Sequence, residues 1–77
     1  MSPEQCRAAR AWLDWSQDEL ATAARVSLST VRDFEKGRRA PIANNLRAME
    51  AALAARGLVF VCDEKASGIS VAKTLVV

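Results

Sequence analysis

Two serines, Ser16 and Ser27, stand eleven residues apart at the heads of two helical patterns, and no other spacing constrains this chain as tightly. Ser16 is placed to cap the first helix, with Glu19 reaching back from the third helical position, and Ser27 to cap the second. Only about one residue is left to turn the chain between them. Leu20, Ala21 and Ala24 share one face of the first helix, and Val31 and Phe34 form the inward stripe of the second. The small Ala21 lets the two helices approach closely, and Val26 drops into the angle between them. The remaining faces are polar.

This is the spacing of a helix-turn-helix. At Gln17, Leu20, Ala21, Val26, Ser27, Thr30, Val31, Phe34, Glu35 and Gly37, with Arg10 upstream and Pro41 downstream, the chain resembles the XRE/Cro-type helix-turn-helix repressors of phages and bacteria. The resemblance runs from residue 3 to about residue 57. It implies a mainly α, four-helix, phage-repressor-like domain that acts on double-stranded DNA as a transcription regulator. It also implies a partly buried ion pair between Arg10 and Glu35, orienting the first helix against the recognition helix, and a phosphate contact from Gln17. One position departs from the family pattern, which usually has Gly where this chain has Arg25. Keeping a positive φ there costs about 1 kcal/mol, so the turn either shifts or carries the strain.

A chain of 77 residues makes one small domain with limited buried surface, so a partner subunit is expected to add stability. The two cysteines, Cys6 and Cys62, lack metal-site spacing and the chain has no histidine, so both are read as reduced thiols and no metal or cofactor is expected. No apolar run approaches the roughly 20 residues of a membrane span, and no signal region is evident, which predicts a cytoplasmic protein. The net charge is only +2, but its distribution is uneven. Between Arg25 and Arg56, seven basic residues stand against three acidic ones, so this window carries +4 and the flanks −2. A basic segment in a nearly neutral chain suits phosphate binding.

Ser2, Pro3 and Gln5 mark the start of a helix over about Pro3 to Leu13, with Cys6, Ala9, Arg10 and Leu13 inward. Trp15 plugs the connection that follows, and Trp12 is expected to be partly buried. The next helices cover about Gln17 to Ala24 and Leu28 to Lys36, with Gly37 as the terminating glycine. Pro41 is expected to begin a fourth helix running to Arg56 on a stripe of Ile42, Leu46, Met49 and Leu53, with Arg47 and Arg56 solubilising it. After Gly57 the pattern becomes β-prone over Leu58 to Cys62 and again over Ile69 to Val77, predicting a short C-terminal β-hairpin. The domain is thus divided into a DNA-binding part, 1–57, and an extension, 58–77. A two-stranded hairpin is marginal alone, so it is expected to be shared across a homodimer through Val59, Phe60, Val61, Ile69, Val71 and Leu75.

In the docking that this motif implies, the recognition helix lies in the major groove. Leu28, Ser29, Arg32 and Asp33 then face base edges. Leu28 touches a thymine methyl, Ser29 a base or phosphate, and Arg32 a guanine; Asp33 accepts from cytosine or holds Arg32. Gln17, Lys36, Arg38, Arg39 and Asn44 are assigned to phosphates. The expected partner is an inverted-repeat operator with half-sites about 34 Å apart, and no small-molecule ligand or membrane partner is expected. The competing reading is a helix-turn-helix module, anti-activator or antitoxin-like, that binds another protein. No enzyme is expected, because no base is present to activate the Ser and Asp residues.

Overall fold

The computed structural model describes residues 1–62 and 67–71, the last residues of that set, from 61 onward, as backbone only. Four helices come first: α1 (Pro3–Leu13), α2 (Gln17–Ala24), α3 (Leu28–Glu35) and α4 (Ala43–Ala54). Two short strands follow, β1 (Leu58–Cys62) and β2 (Ser67–Val71). They pair antiparallel, with Leu58 opposite Val71 and Phe60 opposite Ile69. The expected Leu75 contact and the apolar tail from Thr74 lie outside the described residues.

Side-chain caps start the first three helices. The Ser2, Ser16 and Ser27 hydroxyls accept from the backbone N–H of Gln5, Glu19 and Thr30, and the Gln5 and Glu19 side chains complete capping boxes at α1 and α2. The same three helices end in one pattern, in which a left-handed residue lets two N–H groups reach back to the last free carbonyls. Trp15 and Asp14 donate to Arg10 and Ala11, Val26 and Arg25 to Ala21 and Thr22, and Arg38 and Gly37 to Asp33 and Phe34. Arg25 keeps the left-handed backbone at φ 58°, so the turn is not shifted and the strain is carried in place.

Leu20, Val31, Met49, Leu53 and Cys6 are fully buried, joined by Ala9, Ala21, Ala24, Phe34 and Leu58. Each of the large apolar side chains removed from water contributes about 2 kcal/mol. Trp15, Val26, Leu28, Leu46 and Phe60 pack around this centre half-buried. α2 packs on α3 and α4, α1 on α3, while β1 runs beside α4 and β2 beside α1. This core holds the polar side of α3 outward.

Several expectations differ from the structure, beginning with α4, which ends at Ala54 rather than Arg56 because the chain turns toward the left-handed Gly57. α3 ends at Glu35, with Lys36 as its cap. α4 begins at Ala43, two residues after Pro41, because Ile42 is still extended at φ −61°, ψ 153°. Ile42 therefore precedes the helical stripe and stands 68% exposed. Trp12 lies off the Cys6, Ala9 and Leu13 stripe and is 59% exposed, whereas Trp15 takes the half-buried seat. Over the Trp15 ring sits the Arg56 guanidinium, 5.2 Å from its centroid, so Arg56 covers the α1–α2 connection as well as meeting solvent.

Candidate nucleic-acid interface

The orientation of α3 is governed by one buried carboxylate at its C-terminal end. Glu35 is 3% exposed, and Arg10 holds it in a two-pronged bond: Nε donates to Oε2 at 2.6 Å and Nη2 to Oε1 at 2.7 Å. The third guanidinium nitrogen of Arg10, Nη1, donates to the Trp15 carbonyl at 2.9 Å, which ties the α1–α2 connection to the same ion pair. Cys6 Sγ donates to Glu35 Oε2 at 3.1 Å, and Gln17 Nε2 to Glu35 Oε1 at 3.0 Å. Arg7 Nη1 donates to the Glu35 backbone carbonyl. α1, the head of α2 and the tail of α3 thus converge on a single side chain.

The charges are settled by this geometry. Burial raises the Glu35 carboxyl, but hydrogen bonds from Arg10, Cys6 and Gln17 outweigh it and hold the group below the ordinary carboxylate range. The same bond to Glu35 raises Arg10. Burial, reinforced by Glu35, pushes the Cys6 thiol up, so it stays a neutral donor. The roles of Cys6 and Arg7 here were not anticipated. Their one sequence signal is spacing, because Cys6 shares the inward face of α1 with Arg10, and Arg7 lies one turn before Arg10.

The outward side of α3 carries Ser29, Arg32 and Lys36 exposed, with Thr30 and Asp33 half-buried. At its N-terminus Ser27 Oγ lies 3.1 Å from Ser29 Oγ and 2.7 Å from Thr30 Oγ1, a hydroxyl cluster beside the free N–H groups of the helix end. Leu28 is half-buried against the core, so only part of it faces outward. Gln17 is half-buried and one of its two amide hydrogens is engaged by Glu35, leaving the other for an external acceptor. Arg38, Arg39 and Asn44 are exposed on the loop and first turn that follow α3.

Between α3 and that loop lies a cleft of about 360 Å³, lined by Ser29, Thr30, Asp33, Arg39, Ala40, Pro41, Ile42 and Asn45. The structure brings Ser29, Asp33 and Arg39 together there. It does not include Asn44, whose neighbour Asn45 lines the cleft instead. Asn45 stands one turn before the buried Met49 and shares its side of α4; that spacing was the available signal. Asp33 makes no ion pair with Arg32, and its carboxylate has no hydrogen-bond partner among the described residues.

Among the described residues no group of three or more His, Cys, Asp or Glu side chains is placed to hold a metal, and no helix is long and apolar enough to cross a membrane. A helix-turn-helix family model matches residues 7–57, from the second turn of α1 to the glycine after α4. No curated protein matches the chain.

Proposed function

The chain belongs to the XRE-type helix-turn-helix family of DNA-binding regulators, and from that premise we propose that it is a dimeric, sequence-specific repressor that acts on an inverted-repeat operator, its own promoter included. One observation carries the reading: α3 presents an uninterrupted polar, partly basic face, and its orientation is held by the Arg10–Glu35 bond. With α3 in the major groove, Leu28, Ser29, Arg32 and Asp33 meet base edges. Gln17, Lys36, Arg38, Arg39 and Asn44 then meet phosphates on either side and set the register. A single small module contacts few base pairs, so two copies on half-sites one helical turn apart supply the specificity. The paired strands β1 and β2, with Val59, Phe60, Val61, Ile69, Val71 and Leu75, supply the dimer contact in this reading. Binding occurs inside a bacterial or phage-infected cell, at the nucleoid.

The test is binding of the purified protein to the DNA upstream of its own gene across a salt series, with Arg32→Ala and Arg38→Ala/Arg39→Ala in parallel. The first variant is expected to lose preference for the operator over random DNA. The second is expected to weaken all binding and to lower the log–log salt slope by about 2, roughly one unit for each phosphate contact removed. Equal binding to operator and random DNA would instead favour a protein-binding module, a reading to which the unpaired Asp33 carboxylate on the α3 face lends some weight.

A further inference from the structure

A carboxylate on a surface that approaches phosphates is repelled unless a donor on the nucleic acid meets it. Asp33 is such a group. It is half-buried in the cleft beside α3, one helical turn after Ser29, and has no ion-pair partner among the described residues. Arg39 shares the cleft without pairing to it, which lowers the local negative potential while leaving the carboxylate oxygens open. Arg32 does not hold it, so the structural alternative to base contact, a carboxylate that merely positions the arginine, is absent.

Resting on the reading that α3 enters the major groove, we propose that Asp33 and Ser29 together read one C·G base pair, with Asp33 accepting from the cytosine amino group. In the major groove cytosine offers its N4 amino group and no acceptor of its own. Adenine also offers an amino group, but N7 beside it is an acceptor and repels a carboxylate; guanine and thymine offer acceptors there. An ionised carboxylate therefore selects cytosine. Ser29, on the same face one turn earlier, donates its hydroxyl to O6 or N7 of the paired guanine. Asn45 lines the other wall of the cleft and approaches the same pair from α4.

The experiment is selection from a random double-stranded DNA library with the wild-type chain, Asp33→Asn and Asp33→Ala, each confirmed helical by circular dichroism. Wild type is expected to enrich a half-site with one position held as cytosine, preferred about tenfold or more over other bases. Asp33→Asn converts the group to a donor and acceptor side by side, the pattern that matches adenine, so the same position is expected to change from cytosine to adenine. Asp33→Ala is expected to lose preference at that position alone. A wild-type motif that both variants reproduce unchanged would overturn the assignment of Asp33 while leaving a sequence-reading regulator intact. Failure of the wild type to enrich any motif would overturn both.

Discussion

Glu35 shows how one buried side chain ties a helix to its neighbours. A carboxylate that is 3% exposed is tolerable only because Arg10 neutralises it and Cys6 and Gln17 complete its hydrogen bonds. Arg10→Met leaves that charge buried and is expected to destabilise the domain by about 3 kcal/mol, measured as the shift in urea midpoint at pH 7. The double variant Arg10→Met/Glu35→Leu removes both charges and is expected to recover much of that loss while weakening DNA binding; unchanged stability and affinity in Arg10→Met would remove the orienting role. The pH dependence follows from the same group. Because Glu35 is held below its unfolded value of about 4.3, the unfolded chain binds the extra proton first, so its stabilisation is full above that pH and is lost as pH falls through the folded value. Urea titrations between neutral and acid pH are expected to steepen below about pH 4.3 in the wild type and to flatten in Glu35→Gln. At this scale Arg10 and Glu35 were legible as a pair through the family resemblance, whereas Cys6 and Arg7 were not, because a short thiol and a surface arginine announce no partner until α1 is laid against α3.

The helices begin where local chemistry says they should, since each serine cap acts within three residues of itself. Their ends are less legible. Asp14 and Arg25 both adopt φ 58° without a glycine to announce it, because the bonds from Trp15 and Val26 back to Arg10 and Ala21, together with burial of those two apolar side chains, outweigh the local strain. Arg25→Gly is expected to relieve about 1 kcal/mol and raise Tm by roughly 4–8 °C in a domain of this size, read by thermal unfolding. An unchanged Tm would mean that the turn stores no such strain. The start of α4 illustrates the opposite case. Pro41 and Ile42 read as a helix head with an apolar stripe, yet α4 lacks a side-chain cap and starts only at Ala43, leaving Ile42 at the mouth of the cleft. A helix stripe says which residues share a face once the helix exists, and is silent on which turn begins it.

Across the whole molecule, α3 itself carries Arg32 against Asp33 and Glu35, and α4 Arg47 against Glu50, so the positive charge of the Arg25–Arg56 window lies chiefly in Lys36, Arg38 and Arg39 after α3 and in Arg25 and Arg56 at its ends. β1 pairs with β2 on one edge, and Val59 on it is 51% exposed. Under the proposed dimer, sedimentation at high micromolar concentration is expected to give twice the monomer mass, and Val59→Lys to shift the chain toward monomer while leaving half-site DNA binding in place. A wild-type chain that stays monomeric under those conditions would sink the shared-sheet proposal. The existence of four helices, the serine caps of α1, α2 and α3, the tight joint between α2 and α3 and the core stripe of Leu20, Val31, Met49 and Leu53 follow from the chain's local patterns, since these arise from interactions within one or two turns or from a helical period. Tertiary packing alone settled that Cys6, Arg7 and Gln17 join Arg10 as donors to Glu35, that Trp15 rather than Trp12 is sheltered, and that Asp33 shares a cleft with Ser29 and Asn45. Those pairings join residues far apart in the chain, and the faces they use exist only after the helices have packed.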